Sequence, residues 1–309
     1  MLASLAQSSL NQYDVGLKKW WQFQLSKGND PLSVSVPDVI SFLTENFNSG
    51  SSYSSLNCFR SAISLLSESE MAVDPRVKRL FTGFHRLRPP KPKYQSTWDP
   101  QIVLDHISSL PNNEALPLLT LSKKLIILLA LITGHRMQTF SLIRRNNIAV
   151  SEQEIRIPIS DPVKTSGPSK PQPLLIIPFY RDKPQICAAT TLVHYVERTR
   201  PLGDHTFLFI SSRKPFKKAS TDTLCRWVKD IMTASNVDTS IFTAHSTRHA
   251  STSAANRLGV DLNIIFASAG WTERSGTFAR FYNRPIVESD PGSFARAIYN
   301  IPNNNINPR

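Results

Sequence analysis

Over the first ninety residues, apolar positions recur with the period of a helix in four separate runs. In "SLNQYDVGLKKWWQFQLSKG", Tyr13, Leu17, Trp20 or Trp21, and Leu25 share one face, and Gly28 closes the run. "SVPDVISFLTENF" opens on a cap-type Ser35 with a proline in its first turn. "SSYSSLNCFRSAISLLSE" lines up Tyr53, Leu56, Phe59 or Arg60, Ile63 and Leu66, and "DPRVKRLFTGFHRL" supplies a fourth amphipathic segment. Four short helices of this kind predict a compact bundle over residues 1–90. Its interleaved aromatics are expected in the core rather than on a base-stacking surface.

The pattern then breaks. "LRPPKPKYQS" (87–96) is basic and proline-rich with no hydrophobic period, so an extended linker is expected, with 91–97 between the two domains. Helical periodicity resumes in "DPQIVLDHISSL" and in "SKKLIILLALITG", which is apolar all round and therefore a buried helix. After "HRMQTFSLIRR" come three short β-prone runs, "NIAV", "EIRIPI" and "PLLIIPFY". The polar insert "SDPVKTSGPSKPQ" between the last two is expected to be a mobile loop within a small sheet. Helices return at "ATTLVHYVERTR", "TDTLCRWVKDIMTAS", "STRHASTSAANRLG", "DLNIIFASAG" and "RSGTFARFY". The expected second domain, 98–290, is mainly helical with one small antiparallel sheet, followed by a tail at 291–309.

Composition narrows the partners. The chain of 309 residues carries 36 Lys and Arg against 23 Asp and Glu, a net charge of +13. The first ninety residues hold nine basic against seven acidic side chains, so nearly all of the excess lies beyond them. A domain this basic attracts a polyanion, above all nucleic acid. No apolar run reaches the length of a membrane span, so no membrane partner is expected, and the N-terminus does not read as a secretion signal. Cys58, Cys187 and Cys225 are too far apart for a zinc cluster and odd in number. They point to a reducing intracellular setting.

The candidate chemistry centres on "TAHSTRHASTSAANRLG" (243–259). His245 and His249 stand four apart, a spacing that could hold zinc, but Ser246 occupies the position where a zinc protease needs Glu. Read alone, H-x-x-R is a helix start, with Ser246 or Thr247 near the cap. Arg beside His at a helix N-terminus also suits a phosphate oxygen. Arg136 follows the Gly134 that ends a helix, which allows it to turn back into a cleft. Lys164 lies in the polar insert. Trp271 and Tyr282 lie in "SAGWTERSGTFARFYNRPI".

Taken in order, Arg136, Lys164, His245-x-x-Arg248, Trp271 and Tyr282 resemble the tyrosine recombinases, the phage-integrase family of DNA breaking-and-rejoining enzymes. "AHSTR…AGWT…FY" is similar to the C-terminal boxes of Cre-type members. "LKKWWQF", "DVISFLTENF…GSSYSSLNCFRSAIS" and "GHRMQTFSLI" resemble recombinases of DIRS-type retrotransposons and related eukaryotic mobile elements. The resemblance spans about residues 8–290. It implies a SAM-like N-terminal bundle and a catalytic domain forming a C-shaped clamp on duplex DNA. It also implies a homo-tetramer on paired DNA sites, a monomer or weak oligomer without DNA, a nuclear location, and chemistry that needs neither ATP nor metal.

By resemblance, Arg136 and Arg248 clamp the non-bridging oxygens of the scissile phosphate, and Trp271 donates its indole N–H to it. His245 orients the phosphate or assists proton transfer. Lys164 protonates the departing 5′ oxygen, and Tyr282 attacks to give a 3′-phosphotyrosyl bond. Two departures stand out: Thr139 occupies a position that is acidic in many members, and Trp271 and Tyr282 are eleven apart where Cre-type enzymes have nine. The second leaves Arg280 in the nucleophile register unless "TERSGT" contains an insertion; Tyr299 is the rival nucleophile. Arg280, Arg284, Lys214 and Lys217 are expected phosphate contacts or solvated charge, and "RKPFKK" (213–218) would also serve nuclear import. The remaining alternatives are an inactive DNA-binding derivative and a type IB topoisomerase.

Overall fold

The structure, a computed structural model, describes residues 4–67, 71–90, 93–164, 166–167, 172–271 and 283–284, with the backbone alone at Ala72. The chain divides into two compact units, Met1–Pro92 and Lys93–Arg309.

The first unit contains α1 (Gln7–Ser26), α2 (Val36–Asn48), α3 (Tyr53–Ile63) and α4 (Pro75–Leu87). Their starts follow local chemistry. Ser35 accepts a hydrogen bond from the Asp38 N–H, and Asp74 caps α4 ahead of Pro75. The core is aromatic: Trp20, Phe23, Phe42, Phe59, Phe81 and Phe84 are buried, and the Phe47 and Phe84 rings stack 4.3 Å apart. The paired choice in α1 resolves to Trp20, and that corrects the expected face. Trp20 is inside with Phe23 and Gln24, whereas Leu25 belongs with Trp21 on the exposed side. The buried Gln24 and Trp20 are satisfied by the backbone carbonyls of Ser33 and Pro31 in the turn that follows.

The second unit is built around α6 (Leu118–Thr133). Every residue from Lys124 to Leu131 is buried, as an all-round apolar helix requires. Around it pack α8 (Ala188–Thr199), α9 (Thr221–Ala234) and α10 (Ser246–Arg257), with α5 (Pro100–Ser108), the short α7 (Met137–Ser141) and α11 (Leu262–Ala269) alongside.

The sheet is antiparallel in the order β1-β2-β3: β1 (Ala149–Val150), β2 (Glu154–Pro158) and β3 (Leu174–Pro178). Ile155 pairs with Ile177 and Ile157 with Leu175, all facing the core, while Arg156 and Ile176 pair on the outer face. The β2–β3 connection carries Lys164. In the expected linker, α4 runs to Leu87, and Tyr94 and Thr97 are buried in the second unit beside Trp98. Their side chains have apolar bodies that the proline-rich composition masked.

Candidate active site

Gly134 closes α6 in the left-handed conformation, φ +61°, and its N–H returns to the Ala130 carbonyl. The chain reverses there, so His135 and Arg136 lead into α7 beside the start of α10. Arg248 closes the arrangement from the other side. Its Nη1 donates to the Gly134 carbonyl at 2.7 Å, and its guanidinium carbon lies 4.1 Å from the centre of the Trp271 ring. Arg248 is 1% exposed. A charge this deeply buried costs several kcal/mol unless matched.

His245 stands at the N-cap position of α10 but makes no side-chain capping bond. Ser246 and Thr247, expected near the cap, are the first two residues of the helix. Thr247 Oγ1 donates to the Ala244 carbonyl, and Ser246 Oγ accepts from the Trp98 indole. His245 is exposed at the mouth of the site. Its imidazole is pushed down to about 4, by desolvation first and then by Arg248, Arg136, Lys93 and Lys164. With so much of the residue open to water, the four charges are the firmer cause: all push the same way, and none is negative.

His135, 7% exposed, is likewise pushed down to about 4 by burial and then by Arg248 and Arg136. Both rings are therefore neutral near pH 7, each able to donate from one nitrogen and accept at the other. His249 is buried, with its ring edge-on to Tyr94 at 5.0 Å and to His245 at 5.8 Å.

Lys164 is exposed, and its backbone N–H donates to Gln138 Oε1 on α7 at 3.2 Å, so the loop is tied two residues from Arg136. The base of that loop is clamped by a bidentate pair, Arg144 to Asp161 at 2.7 and 2.9 Å. The Arg144 guanidinium also holds the Asp161 carboxyl below its ordinary value. Lys214 and Lys217 are exposed on a turn, and beyond them Lys218 sits 3.4 Å from the centre of the Phe207 ring. The backbone N–H of Arg284 donates to Ser253 Oγ, and its carbonyl accepts from Arg257, which anchors it on α10. Tyr282, Arg280, Tyr299 and the tail at 291–309 lie outside the described residues.

The structure thus brings Arg136, Lys164, His245 and Arg248 to one place, with Trp271 against Arg248. Sequence reasoning passed over His135 and Lys93. "GHR" next to the first arginine was visible, but nothing local said that His135 is pressed against Gly270, where an added Cβ would meet its Cε1 at 3.1 Å. Among the described residues, no group of three or more His, Cys, Asp or Glu could hold a metal ion, and no helix is long and apolar enough to cross a membrane.

A cluster of cations attracts an anion, and one offering guanidinium forks suits the oxygens of a phosphodiester. Comparison with known proteins gives a family model, "Phage integrase family", matching residues 104–286, more than half of the chain.

Solved structures share the fold at low identity. A XerH site-specific recombinase bound to difH substrate, in a pre-cleavage complex, is 14% identical with a TM-score of 0.61, covering 93% of this chain and 78% of that one. A Tn1549 transposon integrase in complex with transposon right end DNA is 14% identical with a TM-score of 0.60, covering 95% and 93%. A lambda integrase dimer bound to a COC' core site is 17% identical with a TM-score of 0.53, covering 93% and 92%. No curated protein matches the sequence.

Proposed function

Because the chain belongs to the phage integrase family, we propose that it is a site-specific DNA recombinase that cuts and rejoins strands through a covalent 3′-phosphotyrosyl intermediate. The observation that carries this reading is the convergence of Arg136, Arg248, Lys164 and Lys93 around His245, with Arg248 held on the Gly134 carbonyl. Such a site is built for an anion whose charge grows during reaction.

In this mechanism the Tyr282 oxygen attacks the scissile phosphorus as its phenolic proton leaves. The bond from phosphorus to the 5′ oxygen breaks, and Lys164 delivers a proton to that oxygen. The pentavalent transition state gathers charge on the non-bridging oxygens, where Arg136 and Arg248 donate hydrogen bonds. His245, neutral, orients the phosphate or takes up the tyrosine proton. Trp271 contributes by holding the Arg248 guanidinium against its ring, besides any N–H it gives the phosphate. The phosphotyrosyl bond conserves the energy of the broken diester, so a second strand's 5′-hydroxyl can reverse the reaction.

We place the protein on duplex DNA, as a tetramer across paired sites and a monomer or weak oligomer off DNA. The resemblance of "DVISFLTENF" and "GHRMQTFSLI" to DIRS-type recombinases supports an origin in a eukaryotic mobile element and action in the nucleus. The test incubates the protein with nicked duplexes randomised around the nick, and with supercoiled plasmid. Wild type traps a covalent adduct and Tyr282→Phe does not. An adduct formed by Tyr282→Phe rejects the nucleophile, and relaxation without exchange between two DNAs favours a topoisomerase.

A further inference from the structure

Residue 93 is where the second unit begins, and the first side chains after it reach directly to the H-x-x-R turn. The Tyr94 hydroxyl lies 2.7 Å from Thr243 Oγ1 and also accepts the Thr243 backbone N–H at 3.3 Å. The Trp98 indole N–H donates to Ser246 Oγ at 2.8 Å, within the buried interior. Thr243 and Ser246 flank His245 at two residues before and one after, and the Ser246 N–H closes the turn on the Thr243 carbonyl. The body of Tyr94 packs on both sides of the turn, against Phe242 at 5.6 Å and His249 at 5.0 Å. Tyr94, Trp98 and Ser246 are all buried.

These contacts fix more than a loop. His245 caps no N–H with its side chain, so α10 has no side-chain cap to hold its first turn in register. The bonds from Tyr94 and Trp98 hold that turn instead. They fix the backbone from which His245 and, two residues beyond Ser246, Arg248 project. An indole and a phenol suit this task because each carries a rigid apolar body and a single polar handle.

We propose that Tyr94 and Trp98 are positioning residues for strand transfer, holding the H-x-x-R turn so that His245 and Arg248 meet the phosphate together. The proposal rests on the recombinase reading for its catalytic consequence, though the holding of the turn is independent of it. Tyr94→Phe and Trp98→Phe each remove the polar handle and keep the apolar body. Thr243→Val removes the hydroxyl partner of Tyr94.

Adduct formation is measured in single turnover at saturating nicked duplex, beside the dissociation constant of the same DNA. The variants should form adduct about tenfold to a hundredfold more slowly, as loss of sub-ångström alignment does, with unchanged DNA affinity. Tyr94→Phe combined with Thr243→Val should be no slower than Tyr94→Phe alone, because the bond that Thr243→Val removes is already lost in Tyr94→Phe.

The second readout needs no activity. In protein with labelled histidine, the His245 ring of the wild type is expected to titrate at about 4 by NMR. In the variants it should move toward the ordinary 6.5 as the turn loosens away from Arg248, Arg136, Lys93 and Lys164 and from the His249 ring. Unchanged rates with an unmoved His245 overturn the proposal. So does a slowing matched by an equally destabilised Val103→Ala variant, whose side chain lies in the core. If wild type forms no adduct while His245 moves as expected, the turn is held as described and the recombinase reading fails instead.

Discussion

His135 gives the most quantitative consequence of the site's electrostatics. Its ring is 7% exposed and faces two arginines, so its folded-state pKa of about 4 lies well below the ordinary 6.5. The folded form holds the ring neutral, whereas the unfolded chain takes up a proton as pH falls through 6.5. A depressed folded pKa therefore gives stability that is complete above about 6.5 and lost progressively down to about 4. At roughly 1.4 kcal/mol per pH unit, the full gap is worth about 3 kcal/mol, and between about pH 7 and pH 5 about 2 kcal/mol should disappear. His135→Gln keeps a polar side chain but removes the titration.

Urea unfolding of both proteins at the two pH values isolates the effect, since other groups cancel in the comparison. Wild type should lose about 2 kcal/mol more than His135→Gln on acidification. Equal pH dependence in the two proteins would refute both the burial argument and the placement of the two arginines around this ring.

Three further outcomes follow from the same geometry. Gly134→Ala puts a Cβ at φ +61°, 3.4 Å from Thr252 Cγ2, and should cost about 1–2 kcal/mol by thermal or urea unfolding while slowing adduct formation through the displaced carbonyl. Arg248→Lys keeps the charge but loses the fork and the planar stack on Trp271. In the nicked-duplex assay it should slow adduct formation by about a hundredfold or more. Arg144→Ala frees Asp161 at the base of the loop bearing Lys164, so single-turnover cleavage should slow by about tenfold with little change in the unfolding midpoint.

The parts of the fold that could be read from sequence are those governed by neighbours along the chain. Ser35 and Asp74 announce their helices, the alternation in "EIRIPI" and "PLLIIPFY" sets the two long strands, and the unbroken apolar run of α6 marks the centre of the second unit. Periodicity could not choose between Trp20 and Trp21, because a helical face is wide enough for either until packing selects one. In the site, Arg136 and Arg248 were visible as residue types in an order. Their juxtaposition was not, since it depends on the Gly134 carbonyl reaching a side chain over a hundred residues away. Tyr94 was hidden by composition: prolines and lysines around it read as linker, while its ring is an anchor buried in the second unit. His135 was hidden by its partner Gly270, a residue with no side chain to advertise a contact.

In the proposed reaction Tyr282 becomes covalently joined to DNA within a site organised by Arg136, Arg248, His245 and Lys164. Proteolysis of the trapped protein–DNA adduct, followed by mass spectrometry of the nucleotide-bearing peptide, tests it most directly. One modified peptide is expected, containing Tyr282 with a 3′-phosphate on its oxygen, lost in Tyr282→Phe and strongly reduced in Arg248→Lys. A modified peptide containing Tyr299 instead, or an adduct that survives Tyr282→Phe, would contradict it.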